Sequence, residues 1–78
     1  MTYTIIYEKI NDASLGEGYF YAHLPALDLT THGFGIEGAK VAAFELLKMW
    51  IEEKKANNEP IIREEESFYS KIELQDAL

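Results

Sequence analysis

The sequence predicts an α+β domain of two layers, in the order β-β-β-α-β, with one long helix on one face of a small sheet. Three observations predict it. The N-terminal part is rich in β-branched and aromatic residues cut by turn formers. Ile36 to Ile51 carries one broad apolar face at helical spacing. Ser67 to Leu74, "SFYSKIEL", returns to the two-residue alternation of a strand. Seventy-eight residues make a single domain, read as 1–74 with a frayed tail at 75–78. A chain of this size buries only about 60% of its unfolded surface, so a second subunit would add stability.

Thr2 to Lys9 reads as the first strand, and "NDASLGEG", Asn11 to Gly18, as a long hairpin loop. Tyr19 to Leu24 is the second strand, ended by Pro25, which has no N–H for a ladder. Leu27 to Thr31 is a short third strand. Alternation puts Phe20, Ala22 and Leu24 on one side of the second strand and Tyr19, Tyr21 and His23 on the other. The first row is apolar and suits the space under the helix. The second combines large rings with polar tips, the composition of a partly wet interface. Aligning the aromatic rows across the hairpin would bring Tyr3 and Tyr7 onto that same bare face and send Ile6 to the core with Phe20.

In the helix, Ile36, Ala39, Ala43, Phe44, Leu46, Leu47, Trp50 and Ile51 share the apolar face. Ala39, Ala42 and Ala43 keep its first half thin enough to lie close on a sheet. Glu37 in the first turn and Lys54 and Lys55 near the end complement the helix dipole. Asn57 and Asn58 are stop residues, with Pro60 just beyond. Pro60 to Glu66 is a charged connector to the fourth strand, Ser67 to Leu74.

Composition excludes several functions. A net charge of −7 opposes a phosphate-binding surface, so no direct nucleic-acid binding is expected. The same charge suits a basic protein partner. Cysteine is absent, which removes disulfides, thiolate metal sites and thiol nucleophiles. "MTYTIIYEKI" has no signal-peptide pattern. The apolar stretch Ile36 to Ile51 is broken by Glu37, Lys40, Glu45 and Lys48 and is short of the roughly 20 residues that span a bilayer. A cytoplasmic protein without membrane association is the expectation.

Chemistry-bearing residues are sparse. His23, Asp28 and His32 are candidates for catalysis or metal binding, but the histidines lie nine positions apart without ligand spacing. Ser14 or Ser70 with a histidine and an acid would need a pocket that a thin two-layer domain does not offer. "GFGIEG", Gly33 to Gly38, matches a GxGxxG pattern, yet without a parallel βαβ unit its glycines are best read as the tight turn from strand to helix. No enzyme activity, metal or cofactor is expected.

One stretch has a recognisable pattern. "HLPALDLTTHGFGIEGA" contains Pro25, Leu27, Gly33, Glu37 and Ala39. It resembles the HicB-like antitoxin family, in which a strand ends in a Pro-x-Leu turn, a glycine follows, and a helix opens with Glu and Ala. Trp50 near the helix end and Pro60 beyond it also fit that pattern. The sequence departs from it at Ala26, where the family has aspartate, and at Asp28, Leu29 and Thr30, where the family has Pro-Gly-Cys. The resemblance implies a partial ribonuclease H-like mixed sheet, the last strand parallel to the first. It implies a homodimer or higher homo-oligomer. It also implies an antitoxin-like module that masks the active surface of a small basic ribonuclease toxin. The short C-terminal end leaves no DNA-binding domain to expect, and so no autorepression. On this reading Tyr3, Tyr7, Tyr19, Tyr21 and His23 form the partner interface. The alternative is a homo-oligomeric structural relative with no toxin and no catalysis.

Overall fold

A computed structural model describes residues 1–12, 14–66 and 68–75. The chain is α+β: a three-stranded antiparallel sheet followed by one long helix. The strands are β1 (Ile6–Lys9), β2 (Tyr19–Leu24) and β3 (Leu29–Phe34), in spatial order β1-β2-β3. The helix, α1, spans Gly35–Ala56. Among the described residues every strand pairing is antiparallel.

The β1–β2 hairpin is closed by the Ile10 amide, which donates to the Tyr19 carbonyl at 2.9 Å. In its loop Asp12 accepts from both the Ser14 amide and the Ser14 hydroxyl, at 2.9 and 2.7 Å. The hydroxyl, then the amide, hold the Asp12 carboxyl below the usual carboxylate range. After β2, Pro25–Leu27 form a single 3-10 turn. Asp28 ends that turn in the left-handed conformation, φ 54°, with its amide donating to the Pro25 carbonyl. That turn displaces the expected third strand: the ladder starts at Leu29 and runs on to Phe34 rather than stopping at Thr31.

β2 faces the two sides as its alternation predicts: Ala22 and Leu24 are buried. The register of β1 differs from the expected alignment. Tyr7 stands opposite Ala22, Ile6 opposite His23 and Glu8 opposite Tyr21. Residues directly opposite each other share a face, so Tyr7 lies under the helix and Ile6 on the bare side. The reason is steric complementarity. Ala22, Ala39 and Ala43 form the buried centre, and the Tyr7 ring packs against these small side chains with Ile5 and Phe20.

Two glycines set how α1 meets the sheet. A Cβ on Gly33 would stand 2.5 Å from the Gly38 carbonyl and 2.6 Å from the Ala39 nitrogen, so β3 and α1 touch backbone to backbone there. Gly35 starts the helix at φ +68°, and its amide donates to the Gly18 carbonyl at 2.6 Å. The helix ends on Asn58 at φ 54°. The Asn58 amide donates to the Lys55 carbonyl and the Glu59 amide to that of Lys54, the paired bonds of a Schellman ending.

Only Ala39 and Ala43 of α1 are buried, far fewer than its apolar face predicts. Length explains this. A helix of 22 residues runs about 33 Å, whereas the six-residue strands β2 and β3 run about 20 Å. Phe44, the tenth helical residue, is still level with the sheet, about 15 Å along α1; it is 65% exposed because it lies off the strip that carries the buried Ala39 and Ala43.

The expected fourth strand is not formed by its described residues. Residues 68–75 have no regular secondary structure, and all are exposed. Ser67 and the tail residues 76–78 lie outside the described residues. The mixed sheet implied by the resemblance is correspondingly absent from the described residues. Among the described residues the segment joins no edge of the sheet, and its apolar side chains Phe68, Ile72 and Leu74 are 89, 95 and 89% exposed.

Candidate functional site

The uncovered sheet face is built by alternation. β2 contributes Tyr19, Tyr21 and His23; β3 sets Phe34, His32 and Thr30 directly across from them; β1 adds Glu8 and Ile6 on the other flank. The result is a face with an aromatic end and a polar end.

At the aromatic end Phe34 is 68% exposed and meets Tyr19 edge to face, with centroids 5.5 Å apart. Tyr21 lies 37% exposed beside the His23 ring at 5.7 Å. At the polar end His23 links three strands. Its Nε2 lies 3.0 Å from Glu8 Oε1 and its Nδ1 3.0 Å from Thr30 Oγ1. A carboxylate only accepts, so Nε2–H donates to Glu8; in the neutral ring the Thr30 hydroxyl then donates to Nδ1. The pair is too exposed for its Coulomb attraction to be worth much. It fixes the ring orientation and so the shape of this end of the face.

Of the five residues expected at the interface, Tyr19, Tyr21 and His23 lie together on this face. Tyr3 and Tyr7 do not. Tyr7 packs against the buried cluster, and the Tyr3 hydroxyl donates to the Ile62 carbonyl. Sequence reasoning missed Phe34, His32, Ile6 and Glu8 as members. The missing signal was the true third strand: extending it to Phe34 puts Thr30, His32 and Phe34 on one parity.

The turn residues hold positions rather than chemistry. Pro25 and Leu27 are the ends of the 3-10 turn. Gly33 lies within β3, not after it, and serves the contact with Gly38. Glu37 lies in the first turn of α1, and Ala39 is buried beneath it.

His32 shares the face with His23, but Asp28 caps the preceding turn and is exposed. Among the described residues no group of three His, Cys, Asp or Glu side chains is arranged to hold a metal ion. A cleft of about 850 Å³ lies beside the hairpin loop between Lys9, Asp12, Glu17, Phe20 and Phe34. It has none of His23, Asp28 or His32 in its wall. Among the described residues no helix is long and apolar enough to cross a membrane. Comparison with protein-family models, curated proteins and solved structures finds no match to this chain.

Proposed function

We propose that this chain is a non-catalytic protein-binding module whose partner docks on the uncovered sheet face. The carrying observation is the row of Tyr19, Phe34 and Tyr21 on the sheet face opposite α1, with Phe34 and Tyr21 exposed among the described residues. Exposed single aromatics are ordinary; a contiguous group with a polar rim is a binding surface. Aromatic rings supply large contact area at low entropic cost, and the Glu8–His23–Thr30 chain supplies a rim with fixed polar groups.

The partner we infer is a small basic ribonuclease toxin, masked in the manner of a HicB-like antitoxin. This rests on the net charge of −7 and on the turn pattern from Pro25 to Ala39. Opposite fields speed encounter and make binding fall with added salt. The test is to look for a short basic open reading frame beside the gene and to titrate the chain with its product. Tight, salt-sensitive binding is expected, weakened at least tenfold by Tyr21→Glu or Phe34→Asp. Failure to bind that neighbour would overturn the toxin reading.

A second reading, homo-oligomerisation without a toxin, is favoured by surface area. The chain exposes 6585 Å², about 1,800 Å² more than a compact monomer of its mass. It expects self-association that ignores the neighbouring protein. Light scattering of the chain alone and in the mixture separates the two.

A further inference from the structure

On the helix side of the sheet, α1 and the N-terminal segment border a groove of about 370 Å³, a volume within the range of small-molecule sites. Its floor is Met1, Tyr3, Phe44, Leu47 and Ile51. Tyr3 shares the parity of Tyr7, which packs under the helix, so this groove is separate from the bare sheet face. From Phe44 to Lys55 it follows α1 for about 16 Å, comparable with an extended twelve-carbon chain.

Charge is segregated round α1. At about 100° per residue, Lys40, Lys48, Lys54 and Lys55 fall within one flank together with Phe44, Leu47 and Ile51. Glu45, Glu52 and Glu53 lie off that flank; Glu37 shares it, but about two turns before Phe44. In a chain of net charge −7, this is a local cationic strip along an apolar floor. Lys54 is paired with Glu59 at 3.0 Å. Lys48 and Lys55 stand on the groove rim beside Glu52, and among the described residues neither is in an ion pair.

The hydrogen-bonding groups around the groove narrow the occupant. The Thr4 amide donates to Glu64 Oε1 at 2.6 Å, and the Tyr3 hydroxyl donates to the Ile62 carbonyl. Residues 62–64 therefore already hold the edge at Tyr3 and Thr4. The backbone of α1 bonds within the helix. A peptide strand laid on this floor would find no ladder to join, and any amide turned towards the floor would lose its hydration without a partner. An alkyl chain has no such groups. Apolar length for the floor and one negative end for the lysines are the two properties of a long-chain carboxylate.

We infer that this groove binds a monomeric long-chain carboxylate. Its alkyl chain lies over Tyr3, Phe44, Leu47 and Ile51, and its carboxylate meets the Lys48 and Lys55 ammonium groups. Covering Phe44 and Met1, 65 and 64% exposed, removes apolar area from water and supplies the affinity. The two lysines fix the direction of the chain and select an anionic end over a cationic one. The inference concerns the helix side of the sheet and does not rest on the partner proposed for the other face.

The test is titration of the isotope-labelled chain with dodecanoate below its micellar concentration, followed by amide resonances. Saturable one-to-one binding is expected, with shifts centred on Tyr3, Phe44, Leu47 and Ile51. Octanoate should bind at least tenfold more weakly, since each methylene withdrawn from water adds affinity. Lys48→Glu/Lys55→Glu should weaken dodecanoate binding at least tenfold while helical circular dichroism is unchanged. Lys9→Glu/Lys71→Glu makes the same change in net charge away from the groove and should leave the affinity as it was. Equal losses in the two double variants would reduce the effect to net charge and overturn the inference. Shifts centred on Tyr19, Tyr21 and Phe34 would overturn it in favour of the sheet face. Binding to anionic vesicles with no saturable response to dodecanoate would overturn it in favour of a membrane surface, and no response to either would leave the groove without this ligand.

Discussion

Single residues decide how closely the two layers meet. At Gly33 a methyl group would have to occupy the space of the Gly38 backbone, which cannot rotate away as a side chain can. Gly33→Ala is therefore expected to cost about 1–3 kcal/mol, the range for overpacking a filled site, read as a lower urea midpoint at unchanged slope. Glu64 gives a prediction with a pH sign. The Thr4 hydroxyl, then the Thr4 amide, hold its carboxyl below the ordinary range. A lowered folded value means the tie contributes fully above the unfolded value, about 4.3, and is lost as pH falls through the lower folded one. The Thr4 amide resonance should therefore titrate on the acid side of an ordinary glutamate. Glu64→Gln should abolish that titration, and a Thr4 signal that still titrates in the variant would assign it to another group.

At the scale of elements, α1 was the most legible part of the sequence and β1 the least. The helix is readable because its alanines, charges and stop residues agree on one assignment. Its ending depends on Asn58 in the left-handed region. Asn58→Gly should keep or slightly raise stability, whereas a β-branched Asn58→Val should cost about 1–2 kcal/mol with loss of helical signal at the C-terminal end. The face of β1 was illegible because both of its rows, Tyr3–Ile5–Tyr7 and Thr4–Ile6–Glu8, contain apolar groups. One step of register exchanges them. What settles it is the size match between Tyr7 and the alanines around Ala22, a property of three separate segments that no local pattern contains. The fourth strand illustrates the converse. The alternation of Phe68, Ile72 and Leu74 is plain, but alternation describes a segment's capacity to pair and does not say with which edge. The candidate face was half legible, because β2 gave its own row and the shifted β3 concealed the rest.

The whole molecule is larger than its length warrants. Its radius of gyration is 15.4 Å, against about 11.5 Å for a compact chain of this length. Among the described residues the buried hydrophobics are Ile10, Ala22, Leu24, Ala39 and Ala43, a centre built mostly of alanine. Such a chain gains stability from association. Its thermal midpoint should rise with protein concentration across the micromolar to submillimolar range, as mass action requires of an assembly that binds only folded chains. A midpoint that does not move with concentration would describe a self-sufficient monomer.

The antiparallel order leaves β3 as an outer strand whatever happens at β1. Leu29–Phe34 has no lysine, aspartate, glutamate or proline. Those are the residues by which proteins ordinarily blunt an exposed ladder. Insoluble cross-β material is therefore expected to nucleate here when the protein is concentrated or warmed. His32→Lys, whose side chain stays on the solvent side, should lengthen the lag before thioflavin fluorescence rises, while the same substitution at the exposed Ser70 leaves that lag unchanged.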